Sequence, residues 1–165
     1  GLETAVAWGE SIFRANVPSA LILSRQNLPA VTKLEQTALI AHGGYVLSDM
    51  DAPKAMLIAT GSEVEIALNA QKQLADQGIA TRVVSMPCTS AFDRQDKAYQ
   101  DSVLPANLTA VAIEAAQPDF WHKYVGRGAI IGMRTFGESA PAKDLYAHFN
   151  ITAEAVIQAV QAQVA

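Results

Sequence analysis

The chain has 165 residues, half of them hydrophobic and 17% charged, with a mean hydropathy of +0.14; a domain this long buries about 70% of its unfolded surface, and this composition can do so, which excludes global disorder. Twelve basic against sixteen acidic residues give a net charge of −4 and a pI near 5.3, and the scattered basic residues form no stripe that would grip a nucleic acid backbone. The apolar runs, such as Ala20-Leu21-Ile22-Leu23, are far shorter than the ~18 residues of a membrane span, no secretory leader is visible, and the single Cys88 suits a reducing compartment, so a cytoplasmic location is expected.

At the start of the chain Leu2, Ala5, Val6, Trp8, Gly9, Ile12 and Phe13 recur every three to four positions, the spacing of an amphipathic helix. Asn16 and Pro18 stop it, and Ser19 to Ser24 (SALILS) reads as a short buried strand. One helix feeding one strand is half of an α/β unit. It is expected to pack on something the chain does not contain, or on the rest of the domain at an odd angle. Arg25 to Glu35 is polar, aperiodic and holds Pro29, the composition of a linker. Gly44 to Ser48 and Ala55 to Thr60 then read as two strands whose short connection allows an antiparallel pair.

Ser62 to Gln77 reads as a helix, with Ser62-Glu63-Val64-Glu65 fitting a capping box and Gly78 standing where a left-handed cap belongs. A strand is predicted over Ile79 to Met86, and one or two short helices between Phe92 and Val103. Leu108 to Glu114 follows as a strand, Asp119 to Val125 as a short helix and Ala129 to Thr135 as the last strand. Pro141 to Phe149 and Thr152 to Val164 are closing helices, the second with Thr152 as N-cap and an Ile151–Val156 staple. Strands alternating with helices predict an α/β fold, a mostly parallel sheet covered on both faces.

Most generic chemical motifs fail on spacing or context. Gly126, Gly128 and Gly132 are misspaced for a dinucleotide loop and lead into a strand, so they read as a turn. Gly137-Glu138-Ser139-Ala140-Pro141 lacks the last glycine of a nucleophile elbow, and its hydroxyl reads as a cap for the helix near Pro141. His42, His122 and His148 have no metal-ligand spacing, and Asp119 with His122 reads as a solvated helix face. Cys88 lies past a strand end without an activating base and reads as a small core residue.

Two loops retain functional interest. Thr60-Gly61-Ser62-Glu63 joins a strand end to a helix N-terminus and could dock a small anion, although Glu63 and Glu65 already supply the negative charge that end prefers. In Ser24-Arg25-Gln26-Asn27 an arginine at a strand end has the fork geometry for phosphate or carboxylate; the competing reading is a merely solvated side chain.

Longer strings carry a family resemblance. ALILSRQNL (Ala20 to Leu28), GGYVLSD (Gly43 to Asp49), IATGSEVEIAL (Ile58 to Leu68), VVSMP (Val83 to Pro87), AFDRQDKAYQDSVLP (Ala91 to Pro105) and MRTFGESAPA (Met133 to Ala142) occur in the order found in bacterial-type transketolases. The chain resembles the C-terminal third of such an enzyme, nearly end to end. The resemblance implies a thiamine-diphosphate enzyme, with a divalent metal (Mg or Ca), that moves a two-carbon ketol unit between sugar phosphates in the pentose phosphate pathway as a homodimer.

It also implies a three-layer α/β domain with a mostly parallel five-stranded sheet and one antiparallel strand. On that map residues 1–28 are the last helix and strand of a pyrimidine-binding domain, 29–35 a linker and 36–165 the C-terminal domain. The family's GDG cofactor signature, activating glutamate and histidine cluster have no counterpart in these residues, so the chain alone is expected to be inactive and to bind no cofactor. One site residue carries over by motif: Arg25 matches the arginine that contacts the substrate phosphate, while the preceding Ser24 is not counted as a contact. Cys88, Ser90 and the Gln117-Pro118-Asp119 turn depart from the family's usual residues, in loops to which it assigns no catalytic role. The other readings are a sister thiamine enzyme, such as a deoxyxylulose-phosphate or dihydroxyacetone synthase, and a free-standing α/β binding module.

Overall fold

In the computed structural model, which describes residues 1–14 and 16–164, five strands form one sheet. They are β1 (Tyr45–Ser48), β2 (Ala55–Ala59), β3 (Thr81–Ser85), β4 (Thr109–Ile113) and β5 (Ala129–Ile131), in the spatial order β1-β3-β2-β4-β5. β2 lies between β3 and β4 and is parallel to both; β5 extends the parallel set from β4. β1 runs antiparallel along the outer edge of β3, with Tyr45 opposite Ser85.

The physical basis is the two-residue alternation of the strands. Ala55, Leu57 and Ala59 of β2 join Val83, Val111 and Ile113 in one apolar cluster, while Met56, Ile58, Val84, Ala110 and Ala112 join the other. Helices α3 (Glu63–Asp76) and α8 (Ala153–Val164) cover the first face with Val64, Ala67, Leu74, Val156 and Val160. The second face is covered by α4 (Thr89–Phe92), α5 (Lys97–Val103), a 3-10 turn over Pro118–Trp121 and α6 (His122–Val125). Each fully buried Leu, Ile or Val contributes roughly 1.5–3 kcal/mol, so the two clusters dominate the stability of the domain. The expected three-layer α/β sheet with one antiparallel strand is what the chain adopts.

The antiparallel partner differs from the sequence expectation. β1 pairs with β3, not with β2. The AMLIA run of β2 is buried at every position, which suits a central strand with neighbours on both sides, whereas β1 alternates buried and half-buried residues, which suits an edge. The outer side of β1 is blunted by Gln36, whose amide donates to the Val46 and Leu47 carbonyls at 3.3 and 2.9 Å. The end of the expected linker is therefore ordered: Leu34–Gln36 forms a 3-10 turn and runs into α2 (Thr37–Ile40), a helix the sequence pattern did not show.

The SALILS strand is absent. Residues 19–24 hydrogen-bond to no neighbouring strand, and Ile22 is 96% exposed. Strand propensity becomes a strand only where a partner supplies the ladder. The preceding helix α1 (Leu2–Phe13) is divided in its contacts. Its Leu2 and Val6 pack against the first core, and Glu3 accepts hydrogen bonds from the buried Tyr45 hydroxyl at 2.8 Å and from Ser85 at 2.5 Å. Burial, opposed by a hydrogen bond from Thr32 and reinforced by Glu3, pushes the Tyr45 phenol far above its ordinary range, so it stays a donor to Glu3. The distal end of α1 leaves Trp8, Ile12 and Phe13 exposed. Asn16 and Pro18 do follow the helix.

Local signals elsewhere hold, with two exceptions. Gly78 takes a positive φ of 76° after α3, and Thr152 caps α8 through a 3.2 Å bond from the Ala155 amide. Ile151 and Val156 are both buried in the first core, where a staple would place them. Ser62 makes no capping bond: it is already in the helical region, so its Oγ cannot reach back to a third-position amide. Ser139 does not cap α7 (Ala142–His148) either; Pro141 stands at that N-cap without a side-chain bond. In the GRGAIIG turn, a Cβ on Gly128 would meet the Ala110 carbonyl oxygen at 2.0 Å, so this glycine permits the close approach of β5 to β4.

Candidate functional site

In an open α/β sheet the ligand crevice lies beyond the carboxyl ends of the strands, where successive connections leave toward opposite faces. Here that point is between β2 and β4. The chain leaves β2 into α3 on one face, and leaves β4 toward the 3-10 turn and α6 on the other. The loop Thr60–Ser62 and the start of α3 follow β2 at this point, and Glu114 and Ala115 follow β4.

The chain's own side chains occupy this crevice. Glu63, in the first turn of α3, is only 4% exposed and pairs with no cation among the described residues. The Tyr146 hydroxyl, from α7, donates to Glu63 Oε1 at 2.7 Å and lies 2.8 Å from Ser62 Oγ. Ser62 Oγ is 3.3 Å from both carboxylate oxygens of Glu63. Burial raises the Glu63 carboxyl above its ordinary range; bonds from Tyr146, its own backbone and Ser62 oppose the rise, and the nearby Glu114 adds to it. Burial also pushes the Tyr146 phenol up to about 12, with the contact to the Ser62 hydroxyl opposing and Glu63 reinforcing. At neutral pH the phenol keeps its proton and donates it.

An anion at this helix N-terminus would therefore meet a carboxylate already seated there, and the Thr60–Glu63 loop is not an anion site in this arrangement. The raised Glu63 pKa makes stability depend on pH. The folded state holds this proton more tightly than the unfolded chain, so the contribution is complete below about 4.5 and is lost as pH rises through the elevated folded value. Glu63→Gln retains an acceptor for Tyr146 and carries no charge. Its melting temperature relative to the parent is expected to rise between pH 4 and pH 7; thermal scans showing a constant difference would show that the buried charge costs no stability.

The segment bearing Arg25 lies over the same crevice. A Cβ on Gly61 would stand 3.8 Å from Ser24 Oγ, and the Gln26 amide donates to the Tyr146 hydroxyl oxygen at 3.2 Å. Gln26 is half-buried, whereas Arg25 beside it is exposed and forms no ion pair among the described residues. A cavity of about 230 Å³ adjoins, lined by Gln26, Ala115, Met133, Leu145, Tyr146 and Phe149 among others. The two loops singled out in the sequence thus meet in space: the arginine loop rests on the loop after β2.

The remaining candidates stay apart. His42 stacks edge-on against Tyr99, His148 against Phe149, and His122 lies 3.9 Å from Asp119 on an exposed surface. Cys88 is exposed, against the expectation of a small core residue, because it precedes α4 on the surface and turns its thiol toward Ser90 at 3.4 Å. Among the described residues no three His, Cys, Asp or Glu side chains gather as metal ligands. Among the described residues the donor set does not fit a metal-bound diphosphate.

Residues 43–152 match the transketolase-like TK C-terminal domain. The chain belongs to the transketolase C-terminal-domain family. It is 58% identical over 160 residues to Transketolase 1 of Vibrio vulnificus (strain YJ016) and 54% identical to Transketolase 1 of Escherichia coli (strain K12), in each case covering 94% of this chain and 24% of the relative. Transketolase from Leishmania mexicana superposes with a TM-score of 0.90 at 38% identity, over 99% of this chain and 24% of that one. A transketolase from Pichia stipitis solved in complex with sedoheptulose 7-phosphate superposes equally well, at 35% identity. The chain thus spans about a quarter of the length of these transketolases and corresponds to their C-terminal part. Within this transketolase domain, the Glu63–Tyr146–Gln26 contact set is what sequence reading missed. Its one local signal is a glutamate directly after the Gly-Ser turn of a strand-to-helix loop, which the capping-box pattern explained away.

Proposed function

We propose that the chain serves as the C-terminal part of a cytoplasmic, homodimeric transketolase that transfers a two-carbon ketol unit between sugar phosphates in the pentose phosphate pathway. Thiamine diphosphate and a divalent metal, Mg or Ca, supply the carbanion chemistry in the whole enzyme and are held by residues outside this chain. Residues 1–28 belong to the pyrimidine-binding domain, 29–35 to the linker and 36–165 to the C-terminal domain. The exposed Trp8, Ile12, Phe13 and Ile22 support that division, since an apolar surface of this kind is suited to burial against another domain.

The role assigned to this chain is to hold the terminal phosphate of the sugar through Arg25. The observation that carries it is an exposed guanidinium without an acidic partner among the described residues, next to a glutamine anchored in the crevice. The planar fork of arginine matches two phosphate oxygens. The sedoheptulose 7-phosphate bound by the Pichia stipitis transketolase is consistent with that substrate class.

The division of labour predicts that the isolated chain neither transfers ketol units nor binds thiamine diphosphate. Calorimetric titration with thiamine diphosphate and magnesium is expected to show no saturable binding tighter than about 1 mM, a free energy of about 4 kcal/mol. A tighter saturable isotherm would overturn it.

A further inference from the structure

We infer that Tyr146 and Glu63 are positioning residues for Arg25: their phenol–carboxylate pair, seated in the crevice between β2 and β4, clamps the arginine loop through the Gln26 amide. The inference rests on the phosphate-binding reading of Arg25 and adds the device that places it.

The crevice that such sheets generally offer to a ligand is here spent on a segment of the same chain. Tyr146 has one proton and two lone pairs. Its proton is directed to Glu63 Oε1 at 2.7 Å and Ser62 Oγ at 2.8 Å, while Ser62 gives its own proton to the Glu63 carboxylate, which leaves the phenol oxygen to accept from the Gln26 amide at 3.2 Å. Gln26 must then present its NH₂ group, because its carbonyl would face an oxygen with no proton left to give. That bond ties Gln26 to the crevice and so restrains the backbone that carries the neighbouring Arg25. The groups brought together lie far apart in the chain, Gln26 and Tyr146 by 120 positions and Glu63 and Tyr146 by 83. No local turn preference can replace them. A buried carboxylate that pairs with no cation among the described residues is a costly way to fill space. It suits a site where the direction of a single proton matters.

The test uses the full-length enzyme of which this chain forms the C-terminal part. It compares a ketol donor carrying a terminal phosphate with one lacking it. Tyr146→Phe is expected to raise KM for the phosphorylated donor about 3- to 10-fold with kcat held, the effect of one lost hydrogen bond, and so to lower the phosphorylated-to-unphosphorylated ratio of kcat/KM. Glu63→Gln, which keeps an acceptor for the phenol, is expected to stay near the parent, while Glu63→Ala is expected to behave like Tyr146→Phe. The double variant Arg25→Ala/Tyr146→Phe is expected to be no worse than Arg25→Ala alone. If Tyr146→Phe does not fold, as judged by its thermal transition, Gln26→Ala at the half-buried end of the clamp gives the same reading. Equal losses on both donors, or additivity with Arg25→Ala, would overturn the clamp while leaving a donor-selective Arg25 intact. An Arg25→Ala enzyme with no donor selectivity would overturn the phosphate reading itself, and the clamp with it.

Discussion

Arg25→Ala in the full-length enzyme is expected to lower kcat/KM for phosphorylated substrates by roughly 10- to 150-fold, the range set by losing a charge-assisted bidentate contact worth ~1.5–3 kcal/mol. A donor without phosphate is expected to be nearly unaffected, because the bond-making end of the substrate lies away from its terminal phosphate. Arg25→Lys is expected to recover only part of the loss, since an ammonium keeps the charge but not the two parallel donors. If Arg25 only braced the segment between domains, both donor classes would decline together and thermal stability would fall with them. The anchoring contact of this segment comes from Gln26, while Arg25 is exposed and forms no ion pair among the described residues. Steady-state kinetics on the two donors side by side decide the matter.

Trp121→Ala is expected to destabilise the chain by roughly 3–5 kcal/mol, the usual range for removing a large buried aromatic. Trp121 is only 1% exposed and belongs to the second core. Its ring stands edge-on to Phe120 at 5.8 Å and lies 5.6 Å from Tyr124. Its indole Nε1–H donates to Glu114 Oε2 at 2.6 Å, so truncation opens a cavity and also removes the donor that holds a carboxylate at the end of β4. Trp121→Phe keeps most of the ring volume and is expected to lose about 1–2 kcal/mol, mainly the hydrogen bond. Against a total of roughly 5–15 kcal/mol for a domain, the alanine variant removes a large fraction. Urea unfolding followed by circular dichroism measures it; a loss below about 1 kcal/mol would show that Trp121 is not a keystone of this face. Trp8, 53% exposed on α1, serves as the contrasting position, where alanine is expected to change the chain's own stability little.

Much of the candidate site is legible from short strings, and the part that is not depends on distant residues. Arg25 stands out because SRQNL is a contiguous pattern whose chemistry resides in one side chain. The loop Thr60–Glu63 stands out because a strand running into a glycine and then a helix is a local signature. That these two loops touch is not visible in the sequence, nor is the role of Tyr146, whose sequence surroundings are those of an ordinary amphipathic helix. Glu63 misleads for a related reason: its negative charge suits a helix start, and only the packing of α7 over that start shows that the carboxylate points inward. Cys88 misleads because small size suggests a core, while its position before a surface helix exposes it.

The amino-acid sequence by itself determined the elements that depend on neighbours within about one turn or one strand: the alternating cores of β2 and β4, the amphipathic α3 and α8, the Gly78 stop and the Thr152 cap. Their hydrogen bonds and periodicities are satisfied inside short windows, so composition and spacing suffice. Only the tertiary structure decided which strand takes β1 as its partner, that the SALILS segment forms no strand, and that Gln26, Glu63 and Tyr146 converge on one crevice. Those outcomes are competitions among distant surfaces. Strand β1 takes the edge of β3 because both edges of β2 are filled, and residues 19–24 form no strand because none of the five strands pairs with them. A hydrogen-bonding group can be read from its residue type, but its partner is settled only when the whole chain has closed around it.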